Sequence, residues 1–136
     1  MNDSKATNVE AARRSIESFD GGVVAIVGGR YKGGDFGDLR AALASRGRGV
    51  IAIGEAAGRV QQALEGTVPV HQAASMAEAV ERGYAVAHPE GVVLLAPACS
   101  SFDWFRDYAE RGEAFKEEVR RLLARSEVKG AEQREQ

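Results

Sequence analysis

Two side chains stand where chemistry could be done, Lys32 and Ser101. Lys32 lies in the glycine-rich stretch Val27-Gly28-Gly29-Arg30-Tyr31-Lys32-Gly33-Gly34-Asp35-Phe36, directly after a run of branched apolar residues. Ser101 lies in Ala96-Pro97-Ala98-Cys99-Ser100-Ser101-Phe102-Asp103, again after an apolar run and ahead of a helical pattern. An ammonium offers a cation, and a hydroxyl near a helix start adds a donor beside free backbone N–H groups that favour anions. The pair suits a carboxylate or a phosphate. A third segment, Gly54-Glu55-Ala56-Ala57, follows another apolar run and would end on the same side. Taken alone, Gly28-Gly29 reads more simply as a strand-exit turn, and Ser100 or Ser101 as a helix N-cap.

Several chemistries find no support. The glycine stretch has neither the G-x-G-x-x-G fingerprint nor the G-x-x-x-x-G-K-[ST] phosphate loop, so the chain should not hold a triphosphate by itself. His71 and His88 lack metal-ligand spacing, and no metal site is expected. Cys99 is the single cysteine, has no histidine base nominated for it, and reads as a small buried hydrophobe. Trp104, Phe105 and Tyr108 read as core or interface residues rather than a stacking platform.

The elements that must position these residues are legible in the periodicity. Gly22–Gly29, Gly49–Gly54 and Gly91–Pro97 are continuous apolar runs rich in Val and Ile, the pattern of strands covered on both faces of a parallel sheet. Val68-Pro69-Val70 predicts a further short strand. Between them, apolar residues recur at i, i+3 and i+4 over Asn8–Phe19, Phe36–Arg46, Glu55–Leu64, Ser75–Ala87 and Ser101–Ala124, each predicting a helix with one buried stripe. Ser75 followed by Glu78 has the capping-box form. Strands alternating with helices predict a three-layer α/β fold, a Rossmann-like open, mostly parallel sheet with helices on both faces. In such sheets ligands bind beyond the carboxyl ends of the strands, where all three segments above would fall.

A length of 136 residues predicts one domain. With 20 acidic and 18 basic residues the formal net charge is −2, which gives no electrostatic case for nucleic acid or an anionic membrane. Arg46 and Arg48 make the nearest thing to a basic cluster. No apolar run approaches the ~20 residues of a membrane span. With one cysteine and no apolar leader at the start, the expected location is the cytoplasm.

Four motifs add a resemblance. Asp3-Ser4-Lys5-Ala6-Thr7-Asn8 resembles the D-S-K-A-T-N stretch that joins the central and C-terminal domains of Mur ligases. Gly28–Phe36 is similar to the glycine-lysine-aspartate-phenylalanine loop of the D-glutamate-adding kind. Leu95–Phe105 is similar to its L-S-P-A-C-A-S-x-D-x-F motif, and Arg111-Gly112-Glu113-Ala114-Phe115 to the R-G-x-x-F that follows. All four occur in the family's order and span about Asn2 to Leu123. Tyr108 and Phe102 stand where the family often has Phe and Leu.

The resemblance implies residues 1–8 as an interdomain linker motif, 9–125 as the C-terminal, glutamate-binding domain and 126–136 as a polar tail without packed structure. It implies an ATP-dependent ligase that phosphorylates UDP-N-acetylmuramoyl-L-alanine and lets the D-glutamate amine attack the acyl phosphate, a step in peptidoglycan precursor synthesis. Lys32 and Thr7 would hold one carboxylate of D-glutamate. Ser101, with backbone near Phe102 and Tyr108, would hold the other. Asp3 would touch the ATP ribose and Lys5 would lie near the phosphates. ATP and Mg2+ would belong to the parent enzyme, with no cofactor bound by this domain and no catalytic residue in it. The alternatives are a standalone Rossmann-like ligand-binding module, or the same domain of another Mur or folylpolyglutamate-type ligase.

Overall fold

The computed structural model describes residues 9–29, 35–88, 90–98 and 108–128. Their elements run α1 (Val9–Glu17), β1 (Val23–Gly28), a 3-10 turn (Phe36–Leu39), α2 (Arg40–Arg46), β2 (Gly47–Ile53), α3 (Ala57–Leu64), β3 (Val70–Ala73), α4 (Met76–Ala87), β4 (Val92–Ala98) and α5 (Tyr108–Val128). The four strands form one sheet in the order β3-β2-β1-β4, every pair parallel. Parallel neighbours need crossovers, and the intervening helices supply them on both faces. The three-layer α/β architecture read from the sequence is the one found.

The apolar runs become two cores because side chains alternate across a strand. Val23, Ala25 and Val27 of β1, Val50 and Ala52 of β2, and Leu94 and Ala96 of β4 face α1, the 3-10 turn, α2 and α3. Val24 and Ile26, Ile51 and Ile53, and Val93 and Leu95 face α4 and α5. All six residues of β1 are buried, as the central strand of a doubly covered sheet must be. The helical stripes match: Val9, Ala12 and Ile16 on α1, Val60 and Leu64 on α3, Ala79 and Val80 on α4.

Four local differences from the sequence reading have physical causes. The stretch read as one helix over 36–46 opens as a 3-10 turn, because the Asp35 carboxylate accepts from Gly37 N–H at 2.8 Å and the Asp35 carbonyl takes Asp38 N–H at 2.9 Å. This i to i+3 bonding tightens the first turn. β2 begins at Gly47, with no loop after α2, since Gly47 leaves the helix in an extended conformation. β3 begins at Val70 rather than Val68, because Pro69 has no N–H for the ladder and contributes only its carbonyl, to Val50 N–H at 2.9 Å. Finally, α5 runs to Val128, beyond Arg125. Ion pairs Arg120–Glu117, Arg121–Glu117 and Arg121–Glu118 lie along its exposed side.

The capping box at α4 forms with one variation. Ser75 Oγ accepts from Glu78 N–H at 3.2 Å, while Glu78 Oε1 accepts from Ala74 N–H at 2.7 Å, one residue before the cap. Among the described residues no helix is long and apolar enough to cross a membrane.

Candidate functional site

β1 is the point where the sheet changes direction. From it the chain goes to β2 and β3 on one side and returns to β4 on the other. The crevice between the carboxyl ends of β1 and β4 is therefore the topological switch point, where ligands of open α/β sheets bind. The connection leaving β1 carries Lys32, and the connection leaving β4 carries Ser101 and Phe102. Topology thus brings the two stretches singled out from the sequence to adjacent strand ends. Lys32, Ser101, Phe102, Thr7, Asp3 and Lys5 themselves lie outside the described residues. Tyr108 is the first residue of α5.

The framework beneath these connections is well defined. Gly28 and Gly29 have φ of 136° and 133°, a conformation that L side chains rarely adopt. Gly29 N–H donates to Ile53 O at 3.1 Å, and Ala56 N–H donates back to Gly29 O at 2.8 Å. The exit of β1 is thereby stitched to the exit of β2. A Cβ on Gly28 would lie 2.1 Å from Ile53 O, so the two strand ends approach as closely as they do only because residue 28 has no side chain. Gly28-Gly29 is a required turn, and its requirement is what fixes the departure of the Lys32 stretch. The far side of that stretch is fixed by the Asp35 cap.

β4 leaves the sheet by a different device. Ile26 pairs with Leu95 but Gly28 pairs with Ala98, so β4 has one residue more than β1 over this stretch. The bulge falls at Ala96 and Pro97, and proline lacks the N–H that a regular ladder would use there. A bulge at a strand end changes the direction in which the strand leaves the sheet.

The third strand end carries Gly54, at φ 72°, Glu55, which is exposed, and the N-terminus of α3, whose cap residue Ala56 makes no side-chain hydrogen bond. Nothing in the sequence pattern marks this end for a ligand beyond its position. Arg46 and Arg48 sit at the opposite, amino end of the sheet. Arg48 occupies the β2 bulge between the Val23–Gly47 and Val24–Gly49 pairs, and its guanidinium donates to Ala87 O in the last residue of α4. A cation there complements the helix C-terminus. Arg48 thus has a structural use.

The Glu78 carboxyl is perturbed by its neighbours. The Ala74 N–H and then the Arg82 guanidinium hold its carboxyl below the ordinary carboxylate value. It caps α4 and takes no part in the crevice. His71 lies on β3 and His88 caps the end of α4, where its N–H donates to Tyr84 O. Among the described residues no three His, Cys, Asp or Glu side chains stand together as a metal site would require. The buried charge of Arg111, 1% exposed in the first turn of α5, was missed by the sequence reading, which noted the residue only within a motif.

Comparison with known proteins agrees with this geometry. Residues 1–99 match the family model described as "Mur ligase, glutamate ligase domain". A protein of Chlorobaculum parvum named UDP-N-acetylmuramoylalanine–D-glutamate ligase is 46% identical over 124 residues, 91% of this chain and 27% of the relative. Proteins of the same name from Acidobacterium capsulatum and Salinibacter ruber are 49% and 47% identical, over 87% and 90% of this chain and 26% and 27% of their own lengths. The chain thus spans about a quarter of the length of the curated relatives it matches. A family model covering well over half the chain, and a parallel sheet with its switch point under the motif-bearing connections, lead to one assignment: the chain belongs to the Mur ligase family, as its C-terminal, glutamate ligase domain.

Proposed function

We propose that this chain is the D-glutamate-binding part of an ATP-dependent ligase that joins D-glutamate to UDP-N-acetylmuramoyl-L-alanine in peptidoglycan precursor synthesis. The observation that carries the reading is the 46–49% identity, across most of the chain, to proteins named for that reaction. The switch-point crevice supports it, because the connections with the lysine and the serine leave adjacent strands there.

In this reading D-glutamate lies across the carboxyl ends of β1 and β4. Lys32 and Thr7 hold one carboxylate. Ser101, with the backbone near Phe102 and Tyr108, holds the other. A dicarboxylate needs charge-assisted donors at both ends, and fixing both ends also fixes where its amine points. Orienting that amine toward an activated carboxylate is the catalytic contribution available to a binding domain. Asp3 contacts the ATP ribose and Lys5 the phosphate region, both in the stretch that leads into the domain.

The sequence has no G-x-x-x-x-G-K-[ST] phosphate loop. No step through ATP is therefore assigned to its residues, and the work of this chain is to bind and orient. Its place of action is the cytoplasm, where nucleotide-activated precursors are made.

Calorimetric titration of D-glutamate into the chain, beside a Lys32→Ala variant, tests the reading. Saturable binding that weakens at least tenfold in the variant supports it, since the variant removes the cation assigned to one carboxylate. Equal binding by both proteins would remove Lys32 from the site.

A further inference from the structure

The stretch that carries Lys32 is short, and the residues at its two ends are fastened to the same body. At the start, Gly29 donates its N–H to Ile53 O and accepts from the N–H of Ala56, the cap residue of α3. At the end, the 3-10 turn is held down by Phe36, 3% exposed, and by Leu39, fully buried, in the core that also contains Val27, Ala52 and Ala56. Arg40 follows the turn and opens α2, and its Nε donates to Ala63 O in the last turn of α3 at 2.8 Å. α3 therefore braces both ends, its first turn against the exit of β1 and its last against the start of α2. Only five residues, 30–34, separate Gly29 from Asp35, and Lys32 is the middle one.

One fastener in this frame differs from the rest. Asp35 is exposed and adds nothing to the apolar core. Its carboxylate accepts from Gly37 N–H at 2.8 Å while its own backbone is extended, at φ −114° and ψ 107°. The bond thus holds the backbone of the residue on which the Lys32 stretch closes. Phe36, Leu39 and Arg40 would keep the turn in place without it, so the effect of the carboxylate falls on the span before the turn. A short span fixed at both ends has few conformations, and releasing one end multiplies them. A ligand must then re-order the span when it binds, which weakens affinity.

We propose that Asp35 is a positioning residue for the D-glutamate site: its carboxylate closes the span that presents Lys32, and it does so by accepting a hydrogen bond rather than by its charge. This rests on the reading of Lys32 as the cation for one carboxylate of D-glutamate, but the closure can be tested without ligand. Asp35 does not touch the substrate; it acts through Lys32.

The test compares the whole original chain with Asp35→Ala, Asp35→Asn and Ser75→Ala. Asparagine keeps the acceptor and caps as well as aspartate does, whereas alanine removes it. Ser75→Ala removes another cap, at the start of α4 on the other face of the sheet, and controls for lost stability. D-glutamate affinity, measured by calorimetry, should fall about fivefold in Asp35→Ala, the equivalent of one helix cap, and stay within about twofold of the original in Asp35→Asn and Ser75→Ala. In a Lys32→Ala background, Asp35→Ala should cause no further loss, because the cation it positions is gone. Backbone order parameters, read without ligand, should match those of β1 across 30–34 in the original protein, fall below about 0.6 in Asp35→Ala and recover in Asp35→Asn. Low order parameters in the original, unchanged ones in Asp35→Ala, an equal affinity loss in Ser75→Ala, or a further loss in the Lys32→Ala background would each overturn the proposal. If order responds as stated while the original chain binds no D-glutamate, the closure stands and the substrate reading fails. If the original binds D-glutamate and Asp35→Ala binds it equally well, the substrate reading stands and the positioning role fails.

Discussion

Replacing Gly28 by alanine is the most demanding test of how the crevice is built. The new Cβ would be placed 2.1 Å from Ile53 O and 3.0 Å from Ile53 N, all backbone atoms of the neighbouring strand. Neither strand can give way cheaply, because Gly28 pairs with Ile53 on one side and Ala98 on the other. The φ of 136° adds backbone strain of about 1–3 kcal/mol for a non-glycine residue. Relieving the clash would break the Gly29 N–H to Ile53 O bond and the return bond from Ala56, at about 1 kcal/mol each. The expected loss is about 3–5 kcal/mol, the sum of those two contributions. For a domain of this size that lowers Tm by roughly 10–15 °C. Gly58 is the internal control. It lies in α3, and a Cβ there meets nothing within 4 Å. Gly58→Ala should therefore stabilise by roughly 0.5–1 kcal/mol through helix propensity. Urea or thermal unfolding followed by far-UV circular dichroism measures both. A Gly28→Ala protein within 1 kcal/mol of the original would refute the close approach of the β1 and β2 exits.

Other outcomes follow from the same geometry. Ser75→Ala should cost about 1 kcal/mol by exposing the first turn of α4, read from chemical denaturation. Glu78 is held below its ordinary value of 4.5 in the fold, so its contribution is present above that pH and is lost as pH falls through the lowered value. Between pH 5 and pH 3 the original protein should lose more stability than Glu78→Gln; parallel curves would show that the Ala74 and Arg82 contacts contribute nothing. The chain alone, given ATP, D-glutamate and UDP-N-acetylmuramoyl-L-alanine, should release no phosphate above background, because its sequence carries no G-x-x-x-x-G-K-[ST] phosphate loop to hold the triphosphate in line. Steady-state phosphate release would contradict that division of labour.

The body of the fold was readable because burial imposes periodicity. β1, β2 and β4 each show as an uninterrupted apolar run, since both of their faces are covered. The helices show through their stripes, and Ser75 with Glu78 marks the start of α4. What escaped the reading depends on single polar atoms. The 3-10 turn arises from one carboxylate at Asp35, the late start of β3 from one missing N–H at Pro69, and the bulges at Arg48 and Pro97 from register, which no apolar pattern encodes. Arg111 escaped for a related reason: a charged residue in a helix pattern reads as exposed, and only packing reveals it as buried.

The site was legible in a different way. Position at strand ends nominated three stretches, and topology selects two of them, those at the switch point beside β4. No physical periodicity marks Thr7, Lys32 or Ser101, whose proposed use depends on residue identity rather than on an apolar pattern. Their proposed roles came from motif resemblance, and the match to the glutamate ligase domain model extends over the stretches containing Thr7 and Lys32.

The central claim, that this domain holds D-glutamate across the ends of β1 and β4, is tested most directly by amide chemical-shift titration with the two enantiomers of glutamate. The account predicts saturable shifts with D-glutamate at millimolar concentration, clustered at Thr7, Lys32, Ser101 and the adjoining strand ends Gly28 and Ala98, and weaker effects with L-glutamate. Shifts that cluster elsewhere, or a response that does not distinguish the enantiomers, would contradict it.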